Sequence, residues 1–197
     1  MRRALLPSLG RRAYAMGMPL ASDELWTAEM VRAMPEDGNR YELVWGELLV
    51  SPSPRRAHQR VVFRLARLIA AYCEEHQLGE TLPSPADISW SDDTLVQPDI
   101  FVIAREEAGG DDWRTVKTLR LVVEVLSPST AKHDRFQKRK LYQSQGVGTI
   151  WLVDADKGFV EVWTPDATFP TRENERVTWH PADATTPLVI DVAALFA

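Results

Sequence analysis

The sequence predicts an α/β fold in which helices flank a mixed β-sheet. Three short apolar runs begin at Asp99, Leu119 and Thr149, and such runs are typical of central strands covered on both faces. Between the second and third runs, residues 131–145 have a helical pattern that Gly146 ends. The order strand, helix, strand predicts a crossover unit that joins two parallel strands.

The rest of the chain adds helices and hairpins around this unit. Apolar residues recur at helical spacing over residues 55–76, and we expect Gly79 to end that helix. The alternating segment RYELVWGELLV predicts a hairpin that turns at Trp45 and Gly46. Weaker patterns predict a helix over 22–35 with Ser22 as its N-cap, a strand over 86–90, an edge hairpin at 159–164, and a final strand and helix over 187–197.

The composition is that of one globular domain. The chain has 197 residues, a net charge of -5 and no apolar run of membrane-spanning length, so we expect no membrane partner. The single cysteine, Cys73, has no disulfide partner, which fits a cytoplasmic protein. Residues 1–19 carry four arginines and no acid. We therefore expect a flexible basic tail there and one folded domain over residues 20–197.

Two acids stand where buried strands are predicted. Asp99 heads one apolar run directly after Pro98, and Glu124 interrupts the next run. A carboxylate inside a buried strand is costly unless it has a partner. An arginine or backbone N–H groups would serve as that partner, and so would a hard divalent cation held between the two acids. The residues alone leave both explanations open.

The helix after Glu124 adds a basic residue. Asp134, Lys138, Leu141 and Tyr142 fall on one face at three- and four-residue spacing. Leu141 and Tyr142 are the best core contacts of this helix, so Lys138 is expected to point inward. In the alternative interpretation, Lys138 pairs with Asp134 on a solvated face.

Several motifs together resemble a known family. The segments RYELVWGELLVSPSP, VQPDIFV, VVEVLSPST, DRFQKRKLY and GVGTIWLVD occur in this order, with His58 after the first. This series is similar to the Uma-two family, whose members are described as restriction endonucleases of the PD-(D/E)XK nuclease superfamily. The resemblance runs from about Leu20 to the C-terminus. It implies a restriction-endonuclease-like mixed sheet flanked by helices.

The resemblance assigns roles residue by residue. Asp99 matches the aspartate of the family's Pro-Asp pair, and Glu124 matches its second acid. Leu126 stands where the superfamily's usual lysine would be, and Lys138 matches a helix lysine that replaces it. Other recurrent family positions are matched by Glu42, His58 and Gln97.

The implied activity is metal-assisted hydrolysis of a phosphodiester, with DNA as the expected substrate. Asp99, Glu124 and the Val125 carbonyl would hold Mg²⁺ or Mn²⁺, and Lys138 would position the attacking water. A homodimer would suit double-strand cutting. The alternatives are a non-catalytic nucleic-acid- or protein-binding module that keeps the fold, and an accessory subunit that is active only with a partner.

The remaining candidates each have a simpler interpretation. His58 lies in the first turn of the long helix, where a structural role is favoured over contact with phosphate or water. Glu42 points away from its neighbours, toward either the metal or solvent. The SPST segment lacks a serine-hydrolase elbow, and Ser129 or Thr130 is expected to cap the next helix. The stripe of Arg56, Arg60 and Arg64 is either a DNA-backbone-binding face or a solvated helix face.

Overall fold

The computed structural model describes residues 25–197, so the predicted basic tail and the predicted N-cap Ser22 lie outside the described residues. A six-stranded mixed sheet in the order β3-β4-β5-β6-β7-β8 forms the centre. The elements in chain order are α1 Ala28–Arg32, β1 Asn39–Val44, β2 Glu47–Pro52, α2 Arg56–His76, β3 Gly79–Pro83, β4 Ile100–Ala104, β5 Leu119–Val125, α3 Ala131–His133, a π-helical turn Asp134–Lys138, α4 Arg139–Ser144, β6 Thr149–Asp154, β7 Phe159–Trp163, β8 Thr171–Glu173, β9 Arg176–Trp179, β10 Leu188–Asp191 and α5 Val192–Phe196.

The predicted crossover unit is confirmed. β5 and β6 pair in parallel, with Glu124 opposite Leu152, and the segment from α3 to α4 connects them. The other neighbours in this sheet pair antiparallel, so the sheet is mixed as expected. The three apolar runs became β4, β5 and β6 because both faces of these strands are covered.

The sheet is buried between two hydrophobic layers. On one face, α2 and the C-terminal β9, β10 and α5 pack with the side chains of Val123, Val125 and Val153. On the other face, α4 and the β1–β2 hairpin pack with Val122 and Phe101. Because side chains alternate along a strand, Glu124 points to the second face. Asp99, two positions before Phe101, points to the same face.

The hairpin turns where the sequence predicts. Trp45 and Gly46 have φ of 51° and 78°, and positive φ at both positions is typical of a type I′ turn. Such turns favour Asn-Gly or Asp-Gly, so a tryptophan in the left-handed region is unusual. The β1–β2 pairing nevertheless keeps full register from Asn39–Pro52 to Val44–Glu47.

The long helix ends at His76, as predicted, but Gly79 is not the residue that caps it. Gln77, with φ 53° and ψ 41°, is the left-handed C-cap, and its N–H bonds the Cys73 and Glu74 carbonyls. Gly79 is instead the first residue of β3, a strand that the sequence did not reveal. A Cβ at Gly79 would lie 2.0 Å from the Ile103 carbonyl oxygen, so the close approach of β4 requires glycine there.

Other peripheral predictions need correction. The first helix is only Ala28–Arg32, and Thr27 is its N-cap. The strand predicted over 86–90 is an isolated bridge between Ile88 and Val96. The predicted edge hairpin is present, since β7 pairs antiparallel with β8, the outermost strand of the sheet. The predicted final strand and helix are present as β10 and α5. No helix in residues 25–197 is both long and apolar enough to cross a membrane.

Candidate functional site

Asp99 lies at the entrance of β4, next to the strand that carries Glu124. Ile100 of β4 is paired with Val123 of β5 in the antiparallel register. Asp99 and Glu124 are the next residues along their two strands, so they lie opposite each other. The Val125 N–H donates to Asp99 Oδ2 at 2.9 Å. The adjacent-strand arrangement predicted for the acids is therefore present.

Asp99 is buried and fully engaged with donors. Besides the Val125 N–H, its Oδ2 is 3.0 Å from His58 Nε2, and its Oδ1 accepts from Arg40 Nη1 at 3.1 Å. Burial alone would raise the pKa of Asp99, but the hydrogen bond from His58 and the charges of His58, Arg40 and Lys138 hold it below its ordinary value. Asp99 is thus ionised in the resting site.

Glu124 is buried beside more acidic side chains than basic ones. Its Oε1 accepts from Lys138 Nζ at 2.7 Å and from the Tyr142 hydroxyl at 2.5 Å. Burial raises the pKa of Glu124 to about 8, with contributions from the neighbouring acids Asp134, Asp99 and Glu42, against the lowering effect of Lys138. Glu124 therefore keeps its proton to a higher pH than an ordinary glutamate does.

Lys138 points inward, as one of the two interpretations predicted. Only 1% of its surface is exposed. Its Nζ lies 2.7 Å from Glu124, 2.8 Å from Glu42 and 3.7 Å from Asp134. Burial alone would lower the pKa of this ammonium, but the three carboxylates raise it above the ordinary lysine value. The alternative of a solvated pair with Asp134 alone is wrong.

The π-helical turn brings both ends of Asp134–Lys138 into the protein. Asp134 and Lys138 are buried, while Phe136 between them is 58% exposed. π-helical turns are rare and are frequent at functional sites. Burial raises the pKa of Asp134 to about 6, against the charge of Lys138 and a hydrogen bond from Thr130. Thr130 occupies the N-cap position of α3, as predicted, but its side chain makes no capping hydrogen bond, and its hydroxyl lies 3.0 Å from that of Ser127.

Glu42 belongs to the site, and the solvent alternative for it is wrong. It lies on β1, is buried, and contacts Lys138 Nζ. Its Oε1 also accepts from the Gln97 N–H at 2.8 Å. The Gln97 side chain turns away and donates to Asp87 at 3.0 Å, so Gln97 contributes its backbone to the site.

Two cationic or basic side chains complete the cluster around Asp99. His58 reaches Asp99 through Nε2, while its Nδ1 is buried without a hydrogen-bond partner. Arg40 was missed from the sequence. Its signal was its position two residues before Glu42, which places both side chains on the same face of β1.

These groups lie at a cleft of about 530 Å³. The loop after β2, the first turns of α2 and the Ser127–Thr130 segment form its walls. Arg60 and Arg64 line it from α2, whereas Arg56 does not. The lining from the site itself comprises Arg40, Glu42, His58, Asp99, Glu124, Val125, Asp134 and Lys138.

The donor set suits a hard divalent ion in chemistry and charge. Four buried acids, Asp99, Glu124, Glu42 and Asp134, face the two permanent cations Lys138 and Arg40, so negative charge is in excess. Carboxylates and a backbone carbonyl are preferred ligands of Mg²⁺ and Mn²⁺. Within residues 25–197, no group of three or more His, Cys, Asp and Glu side chains is placed so that it could hold a metal ion. The fit therefore rests on the two acids and the Val125 carbonyl.

Comparison with models of known protein families identifies the family of this chain. The model of the Uma2 family, described as "Putative restriction endonuclease", matches residues 28–193. The chain belongs to the Uma2 family. This agrees with the motif resemblance, and the matched residues include all of the acids and bases described above.

Two individual proteins are similar to this Uma2 chain. It is 26% identical over 129 residues to the uncharacterised protein sll1609 of Synechocystis sp. (strain ATCC 27184 / PCC 6803 / Kazusa), a match that spans 64% of this chain and 73% of that protein. A crystal structure from Anabaena variabilis ATCC 29413, described as a putative nuclease belonging to DUF820, superposes with a TM-score of 0.71 at 20% identity. The superposition covers 86% of this chain and 97% of that chain, which confirms the predicted nuclease-like fold.

Proposed function

We propose that this chain is a divalent-metal-dependent endonuclease that hydrolyses phosphodiester bonds in DNA. The observation that carries the proposal is the pair Asp99 and Glu124, side by side on one face of the sheet at the floor of an open cleft. Membership of the Uma2 family supports a nuclease.

Some residues of the site would bind the metal ion, and the others hold those ligands in place. Asp99, Glu124 and the Val125 carbonyl would hold Mg²⁺ or Mn²⁺. Such an ion, when bound, polarises the phosphate and lowers the pKa of a bound water. Tyr142 and Lys138 fix Glu124 through its Oε1, and Lys138 neutralises charge that would otherwise drive the acids apart. His58 and the Val125 N–H orient Asp99 through its Oδ2.

The exposed side of α2 supports a nucleic-acid substrate. Five arginines and no acid lie between residues 55 and 73, in a chain whose net charge is -5. Arg64 is tied to the Leu195 carbonyl at 2.8 Å, so the exposed stripe is Arg56, Arg60 and Arg67, with Phe63 between them at 67% exposure. Clustered arginines bind phosphates, and exposed aromatic rings contact bases.

One observation favours the non-catalytic alternative. Asp99 and Glu124 both have protein donors already, which is the arrangement expected of a structural ion-pair network. A nucleic-acid-binding module of this fold would have no need of Mn²⁺. Metal binding therefore separates the two functions.

The test incubates the full chain with single- and double-stranded DNA and RNA in Mn²⁺, Mg²⁺ or EDTA. We expect cleavage of DNA with either metal and none with EDTA. The Glu124→Gln variant should bind DNA and fail to cleave it. Calorimetric titration with Mn²⁺ runs in parallel, and a wild-type chain that binds no Mn²⁺ even with DNA present supports the binding module. Sedimentation of the same samples tests for a homodimer.

A further inference from the structure

Within the buried cluster formed by the described residues, Arg40 is the cation that still has N–H donors without an acceptor. Its Nη1 makes both of its hydrogen bonds, to Asp99 Oδ1 at 3.1 Å and to the Gln97 carbonyl at 3.2 Å. Its Nε and Nη2 make none with any residue between 25 and 197. The side chain is 21% exposed and lines the cleft. A guanidinium has five N–H donors, so most of them are available.

Lys138 offers a clear contrast. Its side chain is 2% exposed, and three carboxylates surround its ammonium within 3.7 Å. An ammonium has three donors, so Lys138 has little left for another ligand. Both side chains line the cleft, but the acids enclose the ammonium of Lys138, whereas Arg40 is more exposed and keeps donors for a ligand.

We propose that Arg40 binds the phosphate of the nucleic-acid substrate, and that Asp99 holds it in place until the site is loaded. This inference rests on the proposed function. A divalent ion at Asp99 would compete with the guanidinium for the same carboxylate, because both cations are attracted by its single negative charge. Release from Asp99 leaves Arg40 in the cleft, where a phosphate offers two oxygens to its planar fork.

The first experiment compares metal binding and cleavage in the same variants. In Arg40→Ala, Mn²⁺ affinity measured by calorimetry should rise about tenfold, the scale of removing one neighbouring like charge. Cleavage should fall about 100-fold or more, the scale of losing one charge-stabilising interaction. Arg40→Lys keeps the charge without the fork, so Mn²⁺ affinity should stay near wild type while cleavage remains at least tenfold reduced.

Arg120 provides the matched control. It also bonds one carboxylate, Asp183, and one backbone carbonyl, Leu78, and its side chain is 24% exposed, but it lies outside the cleft. Arg120→Ala should change neither Mn²⁺ affinity nor cleavage. If Arg40→Ala weakens Mn²⁺ binding in parallel with cleavage, or leaves cleavage unchanged, Arg40 is a structural ion-pair partner and the inference is wrong.

A second experiment needs neither metal nor catalysis. A fluorescent DNA oligonucleotide is titrated in EDTA against wild type, Asp99→Asn, Arg40→Ala and the double variant, after melting curves confirm that each is folded. Asp99→Asn releases Arg40, so Arg40→Ala should weaken binding at least fivefold more in that background than in wild type. Equal effects in both backgrounds would contradict the inference. A wild-type chain that neither binds Mn²⁺ nor cleaves would end the proposed function, while this cycle still decides the role of Arg40.

Discussion

At the scale of single residues, excess buried acid controls the site. Glu124, Asp134 and Glu42 surround one ammonium, and the pKa values of Glu124 and Asp134 rise to about 8 and about 6 because burial penalises the ionised forms. Buried carboxylates with raised pKa values are common at functional sites. Their titration also links the stability of the fold to pH.

Glu124→Gln should change how stability depends on pH. The folded pKa of Glu124 is raised to about 8 from an ordinary value of 4.5, so the folded state binds more protons than the unfolded state between these values. This contribution is fully present below about pH 4.5 and is lost as pH rises to about 8, at up to about 1.4 kcal/mol per pH unit. Urea unfolding from pH 5 to 8.5 should show wild type losing stability relative to Glu124→Gln. Parallel curves would mean that the Glu124 pKa is not raised.

Lys138→Met should destabilise the fold and reduce cleavage together. Removing one partner of a buried ion pair costs about 3–5 kcal/mol, because the remaining charges are uncompensated. This loss in the free energy of unfolding should shrink from pH 8 to pH 5 as the acids take up protons. Cleavage should fall by roughly 10- to 100-fold, because Lys138 acts by holding Glu124 and Glu42 in place and not by contacting the phosphate.

Lys140 is the control for Lys138, since it is exposed two positions further along the same helix. Lys140→Met should leave both stability and cleavage close to wild type. A Lys138→Met variant as stable as Lys140→Met at pH 8 would contradict the buried network.

At the scale of elements, the helix α2 shows which features local sequence predicts: its buried face was predicted, and its C-terminal cap was not. α2 buries Leu65 and Ile69 against the sheet and exposes Arg56, Arg60 and Arg67. Its amphipathic pattern was readable because it repeats over 21 residues. Its end at His76 was predicted, but its cap was assigned to Gly79, because glycine is only the commonest left-handed cap and Gln77 occupies that conformation here.

Gln77→Gly should stabilise the protein. The native φ of 53° costs a glutamine energy that a glycine avoids, so the free energy of unfolding should rise by about 0.5–1 kcal/mol. The exposed hydrogen bond from Arg105 to Gln77 offsets little of this. Glu75→Gly, within the helical last turn, should lower stability by about 1 kcal/mol. Thermal melting distinguishes these opposite signs, and a decrease in both variants would contradict the cap assignment.

The exposed face of α2 should contribute to nucleic-acid affinity through charge. Replacing both Arg60 and Arg67 with alanine should weaken DNA binding and lower the slope of log affinity against log salt by about two, because two phosphates would no longer be neutralised. The Arg114→Ala control removes an arginine whose side chain is 75% exposed. Fluorescence anisotropy at several salt concentrations measures this, and an unchanged slope would leave α2 as a solvated face.

At the scale of the whole molecule, the sheet gathers the site from distant parts of the chain. Lys138 meets Glu42 from 96 positions away in sequence, and His58 meets Asp99 from 41 positions away. Ligands that bind only the folded site stabilise the whole fold by mass action. Mn²⁺ at 100 times its Kd should therefore add about 2.7 kcal/mol to the free energy of unfolding. Asp99→Ala should abolish this gain, and an equal gain in that variant would place the Mn²⁺ site elsewhere.

The sequence by itself determined the central fold and the chemical types at the site. Continuous apolar runs become central strands wherever two layers cover them, and an acid within such a run needs a partner in any packing. Helical spacing likewise placed Lys138 on the face of Leu141 and Tyr142. These conclusions depend on local periodicity, which the chain carries without its fold.

Only the tertiary structure decided which partners meet. Arg40 resembles any exposed strand residue in the sequence, yet the pairing of β1 with β2 and its approach to the Asp99 segment bring it to that carboxylate. β3 was hidden because four of its five residues are only half-buried, the fifth is exposed, and the segment lacks an apolar pattern. Contacts between residues distant in sequence form when the sheet closes, and no local pattern specifies them.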